Sequence, residues 1–135
     1  MEQGRVPPHS MDAERSVLGA MLQDRNALLL ANEALSPEDF YSPAHREIFT
    51  AMRMLFNQSQ PIDLVTVSNE LTRTGKLDGI GGLDYLIDLT GYVPSTANAR
   101  AYIKIIEEKS TLRKLIDASG TITQESYLGE KEVPE

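Results

Sequence analysis

Apolar residues recur at gaps of three and four along almost the whole chain, and no stretch alternates as a half-buried strand would. The longest such pattern runs from Asn98 to Glu125. No proline interrupts it, and its only glycine is Gly120. Ala99, Tyr102, Ile103, Ile105, Ile106, Leu112, Leu115, Ile116 and Ile122 fall mostly on one broad helical face. A helix of that length spans about 40 Å, whereas a domain this small has a radius of gyration of roughly 14 Å. Two arrangements fit. In one, the distal half projects and carries apolar surface that asks for a partner. In the other, the helix folds back on its own domain, broken at Gly120.

Shorter patterns precede it. Pro7 and Pro8 belong to a loose arm, residues 1–9. Ser10 caps a first helix with Asp12 and Glu14 in its first turn and an apolar stripe of Val17, Leu18, Met21 and Leu22, ending near Gln23. Ala27 to Leu35 forms a short helix whose Leu28-Leu29-Leu30 run suits burial. Ser36-Pro37 opens a single turn that ends at Phe40-Tyr41. Ser42-Pro43 opens an amphipathic helix to about Asn57, with Ile48, Phe49, Met52, Leu55 and Phe56 inward. Asp63 caps a helix that Gly75 stops. Leu83 to Thr90 is a helix with Leu83, Leu86, Ile87 and Thr90 inward, closed by Gly91 and Pro94, and Ser95 or Thr96 caps the long helix. The fold class is therefore all-α: a compact helical head of five to six helices over residues 10–94, a long helix over 95–126, and a turn or linker over 127–135.

Composition narrows this only slightly. At 135 residues, with 41% hydrophobic and 24% charged residues, the chain suits one soluble domain with a real core. No apolar run approaches the ~20 residues that span a bilayer, and the N-terminus does not read as a signal peptide. There is no cysteine, so neither disulfides nor thiolate chemistry enter, and the cytoplasm is the default compartment. The net charge of −7 argues against a domain built to grip phosphates along a duplex.

Candidate chemistry fares poorly. Gly75-Lys76 lacks the rest of a phosphate loop, since Glu70 stands where a glycine is needed and Leu77 where Ser or Thr should be. Gly79, Gly81 and Gly82 follow no strand, so they permit a tight loop rather than a dinucleotide site. His9 and His45, the only histidines, have no metal-ligand spacing, and His45 reads as a surface or boundary residue. Asp63 to Lys76 could be a recognition helix, but with only Arg73 and Lys76 basic it is better read as a polar solvent face. Catalytic, cofactor and metal residues are therefore expected to be none. Tyr85, Tyr92 and Tyr102 cluster near the junction of head and long helix, where tyrosine suits a core or an interface equally.

The residues go further than the pattern. The run Pro7-Pro8-His9-Ser10-Met11-Asp12-Ala13-Glu14-Arg15-Ser16-Val17-Leu18-Gly19-Ala20 resembles the opening of the N-terminal domain of bacterial replicative DNA helicases of the DnaB type. Pro37-Glu38-Asp39-Phe40-Tyr41, His45-Arg46-Glu47-Ile48-Phe49 and Pro61-Ile62-Asp63-Leu64-Val65-Thr66-Val67 follow in the family's order. So do Gly81-Gly82-Leu83-Asp84-Tyr85-Leu86, Val93-Pro94-Ser95-Thr96-Ala97-Asn98, Glu107-Glu108-Lys109-Ser110 and Leu112-Arg113. The resemblance implies a non-catalytic collar domain of a hexameric ring that unwinds DNA, with ATP and magnesium held only in a separate C-terminal motor. It implies self-association as a dimer and a trimer of dimers, docking of primase, contact with a helicase loader, weak or no DNA binding by this domain, and a place at the bacterial, cytoplasmic replication fork. It also implies that the long helix is the first arm of a hairpin whose second arm lies after Glu135, and that Glu14, Tyr85, Ile116 and Ile122 match positions implicated in the response to primase. With Tyr102, Ile106, Leu112 and Leu115, these make the expected interface. The competing class is a free-standing, homodimeric all-α adaptor; a third is a DNA-binding regulator.

Overall fold

In the computed structural model, which describes residues 5–92 and 95–129, the chain forms six α-helices and no strand among those residues. They are α1 (Met11–Gln23), α2 (Arg25–Ala34), α3 (Pro43–Asn57), α4 (Leu64–Arg73), α5 (Gly82–Tyr92) and α6 (Ala99–Leu128). Expectations for Met1–Gly4, for Val93-Pro94 and for residues 130–135 lie outside the described residues.

The head is built around α1. Its residues Ala13 to Leu22, Arg15 excepted, are buried, because α2, α3, α5 and α6 all pack on it. The stripe Val17, Leu18, Met21 and Leu22 is only half the reason. Ala13, Ser16, Gly19 and Ala20 are small, so neighbouring helices can close on the other side as well. Phe40, Ile48, Phe49 and Met52 complete the core from the 3-10 turn Pro37–Asp39 and from α3. Val67 and Leu71 of α4 and Leu86 and Leu89 of α5 close it from the other side.

Caps fix the helix ends. Ser10, Asp24, Ser42 and Asp63 each accept a hydrogen bond from a backbone N–H in the first turn that follows. Asp63 and Thr66 form a reciprocal box, both bonds at 2.9 Å. Arg53 of α3 donates to the carbonyls of Asn32 and Leu35 at 2.8 and 2.6 Å, which satisfies the C-terminal end of α2.

Several expectations change. α5, which runs from Gly82 through Gly91 to Tyr92, turns Leu83 and Ile87 outward, and Leu89 takes the inward place with Leu86, because the face set against α1 and α4 is the one that carries Leu86 and Leu89. Leu29 is exposed while Leu28 is buried, since α2 has only one face against the head. Ser95 caps the 3-10 turn Thr96–Asn98, which then leads into α6. α6 is not broken at Gly120; it continues to Leu128, where Gly129 ends it in the left-handed region at φ 66°. The arm is anchored where it is described: the His9 ring stacks on Tyr41 at 4.1 Å and its Nδ1 lies 2.8 Å from the Pro7 carbonyl.

Candidate functional site

α6 has 30 residues, about 45 Å at 1.5 Å per residue. Its first third anchors it. Ala99, Ile103, Ile106 and Ser110 are buried against the head, at gaps of four, three and four. After Ser110 every described residue is exposed except Arg113 and Glu125, which are half-buried. The helix thus leaves the head and projects for roughly 27 Å.

The projecting part is not polar all round. Leu112 and Ile116 are exposed, as are Leu115 at 61% and Ile122 at 60%, and Ile105 lies on the same side nearer the head. At about 100° per residue this stripe sits nearly opposite the buried one. The single broad face expected from the sequence is therefore two faces. One, containing Ile106 at 2% exposure, belongs to the head; the other is covered by none of the described residues. Tyr102 packs half-buried against the core. In this conformation Ile106 presents no side chain to a partner, because the same i, i+3, i+4 spacing that places it beside Tyr102 turns it onto the head.

Glu14 and Tyr85 lie elsewhere, and His45 joins them. Glu14 is 1% exposed and so is His45. Neither Glu14 nor the boundary histidine read from the sequence is at the surface, because Glu14 lies on the side of α1 that the neighbouring helices cover and His45 continues the inward ladder of Ile48, Phe49 and Met52. Glu14 Oε2 accepts from the Tyr41 N–H at 2.7 Å, and Oε1 accepts from the Ser42 N–H at 3.3 Å. His45 Nδ1 lies 2.7 Å from Glu14 Oε1, and Nε2 lies 2.6 Å from the Tyr85 hydroxyl. With the carboxylate accepting, Nδ1 carries the shared proton and Nε2 accepts from the Tyr85 O–H. Burial alone would raise the Glu14 carboxyl, but the hydrogen bonds from His45, Tyr41 and Ser42 hold it below its ordinary value. The Arg15 guanidinium, which lies 5.7 Å from the centre of the Tyr92 ring, is raised from its ordinary value by Tyr85 and Tyr92.

Gly81 sets Tyr85 in place. Its φ of +110° suits glycine, and a Cβ there would stand 2.9 Å from the Cβ of Tyr85. This is the use of the glycine-rich loop that sequence could state only as a tight turn. His45 had a signal that the sequence reading missed: its spacing to the apolar residues of α3 places it inward.

Carboxylate, imidazole and hydroxyl in a row invite a catalytic reading. Glu14 and His45 are closed to solvent, so no substrate reaches them, and the row instead ties α1, α3 and α5 together. No group of three or more metal-ligating side chains occurs among the described residues. An open groove of about 910 Å³ between α2 and the start of α6 has Leu30, Ala101 and Ile103 in its walls and charges of both signs, among them Glu33 and Arg100.

The DnaB-like helicase N-terminal domain model matches residues 6–108. The chain belongs to this family. As a DnaB-like N-terminal domain it is 47% identical over 129 residues to the replicative DNA helicase DnaC of Bacillus subtilis, and 47% identical over 129 residues to the replicative DNA helicase DnaB of Geobacillus stearothermophilus. Each match covers 96% of this chain but 28% of the relative, so the chain spans just over a quarter of the length of these curated relatives. The solved N-terminal domain of DnaB helicase from Mycobacterium tuberculosis superposes with a TM-score of 0.91 at 42% identity, covering 95% of this chain and 91% of that one. A DnaB-like replicative helicase described with its interactions with primase matches at a TM-score of 0.77 and 28% identity, over 88% of this chain and 28% of that chain. The DnaB-like N-terminal fold therefore includes the projecting helix. No helix among the described residues is long and apolar enough to cross a membrane.

Proposed function

We propose that this chain is the non-catalytic collar part of a bacterial replicative DNA helicase, acting at the cytoplasmic replication fork. It joins copies of the ring, as dimers and a trimer of dimers, and docks primase, with a helicase loader as a further partner. ATP, magnesium and unwinding belong to a motor region like that of its much longer relatives. The observation that carries this reading is the uncovered apolar stripe of α6. Four large side chains, Leu112, Leu115, Ile116 and Ile122, stand in water on the face turned away from the head. Being about half exposed, each forfeits roughly 1 kcal/mol that a partner surface could recover, and the same stripe on a second copy doubles the gain available to drive pairing against association entropy. The relative described with primase supports the choice of partner. No observation favours the free-standing adaptor.

Changing Ile116 and Ile122 together to serine tests the reading. The variant should keep the thermal midpoint of the monomer while losing self-association by sedimentation and losing binding to primase. Unchanged association in both assays would remove the stripe from the interface.

A further inference from the structure

The place where α6 leaves the head is held by a set of contacts that the stripe does not explain. Arg113 donates from Nη1 to the Pro8 carbonyl at 2.8 Å and from Nη2 to the Asp39 carbonyl at 2.7 Å. Its guanidinium lies 5.7 Å from the centre of the Tyr41 ring, the ring on which His9 stacks. One turn earlier, Ser110 donates to Asp39 Oδ1 at 2.7 Å, and Lys114 Nζ stands 3.6 Å from the same oxygen. Asp39 is itself fixed by the backbone N–H of Ser36 at 2.9 Å. These contacts tie two separate parts of the chain, the segment before α1 and the 3-10 turn Pro37–Asp39, to Ser110, Arg113 and Lys114 of the long helix, and Arg113 alone reaches both.

We infer that Pro7–His9 and Arg113 form a brace that fixes the direction in which the distal half of α6 projects. The apolar anchor ends at Ser110, and roughly 27 Å of helix lies beyond it, so that an angular play of about 10° at the exit would sweep the tip by about 5 Å. Nonpolar packing of Ile103 and Ile106 resists separation of α6 from the head more than rocking about the contact, because dispersion contacts are non-directional. Arg113 supplies what they lack. Its planar fork reaches two carbonyls on different segments, and two hydrogen bonds in one plane fix an angle as well as a distance. Segment Pro7–His9 works as a strap: the prolines restrict its backbone, and His9 lies flat on the ring beside Arg113. The brace also determines where the uncovered stripe faces. That consequence rests on the stripe being an interface; the brace does not.

The chain has no cysteine, so two can be introduced cleanly for spin labels, Asn69→Cys on α4 and Thr121→Cys on the far side of α6 from the stripe, both at exposed positions. Doubly labelled chain diluted into unlabelled chain then reports the head-to-helix distance within one molecule, whether or not the stripes pair. The parent should give one narrow distance distribution. Arg113→Ala, and separately removal of residues 1–9, should each broaden it by about twofold or more while amide exchange in α1 stays as slow as in the parent. Unchanged width in both variants would overturn the brace. So would broadening that occurs only when α1 also loses its protection, since the effect would then be loss of the head.

Discussion

Glu14 accepts hydrogen bonds from two backbone N–H groups and from His45, in a place that water does not reach. Removing the carboxylate leaves those donors unpaired, so Glu14→Ala should cost about 2–4 kcal/mol in urea unfolding, well beyond the effect of a surface acid. The pH dependence follows from the same contacts. Glu14 is held below its ordinary value of 4.5, and Asp39 below 3.8, where burial works against the bonds from Ser110, Ser36 and the charge of Lys114 but does not prevail. A carboxylate with a depressed folded pKa contributes stability that is fully present above its unfolded pKa and is lost as pH falls through the folded one. Stability should therefore be level above about pH 4.5 and fall below it, and Glu14→Gln should flatten part of that fall. Urea midpoints measured from about pH 3 to pH 7 give the curve; a parent and a Glu14→Gln variant with parallel acid limbs would contradict it. From sequence, Glu14 reads as a first-turn acid and, by resemblance, as an interface position, and His45 as a surface or boundary residue. Hydrogen-bond partners 27 and 31 positions apart leave no local pattern, whereas the inward register of His45 on α3 was readable.

At the scale of the element, α6 shows what periodicity conveys and what it omits. Its helical nature and approximate length were legible from the unbroken apolar pattern, whereas its departure from the head was one of two arrangements that the pattern allowed, the other folding back at Gly120. The division of that pattern into two faces was not. Gaps of three and four are shared by a residue packed on its own head and one awaiting a partner, and only the positions of α1 and α2 separate them. The separation predicts opposite behaviour for similar side chains. Ile106→Ala empties a fully packed site and should cost the monomer about 2–4 kcal/mol. Leu115→Ser removes a side chain already in water and should change monomer stability by less than about 0.5 kcal/mol. Chemical denaturation at protein concentrations low enough to exclude self-association distinguishes them. Equal losses at the two positions would mean that the distal helix packs back on the head.

For the whole molecule the question is whether this chain meets DNA directly. The acidic excess is largely accounted for by local structure: Asp12, Asp24, Asp39, Asp63, Asp78 and Asp84 all stand at helix or turn starts, and Glu14 is internal. That explanation was available from the sequence, and it removes any need for a basic ligand. It does not create a cationic surface. Several of the basic side chains that a duplex would need are already engaged. Arg53 caps α2, Arg46 donates to the Phe40 carbonyl, Arg73 pairs with Glu70, and Arg113 holds the exit of α6. A net charge of −7 repels phosphates over a distance set by ionic strength. The chain alone should therefore bind a forked DNA no more tightly than about 10⁻⁴ M at physiological salt, with a shallow salt dependence. Fluorescence anisotropy over a salt series measures both quantities. A submicromolar affinity with a steep slope would place a DNA-contacting surface within this domain. The weak, shallow result would instead turn attention to the apolar stripe of α6, and hence to contacts between proteins.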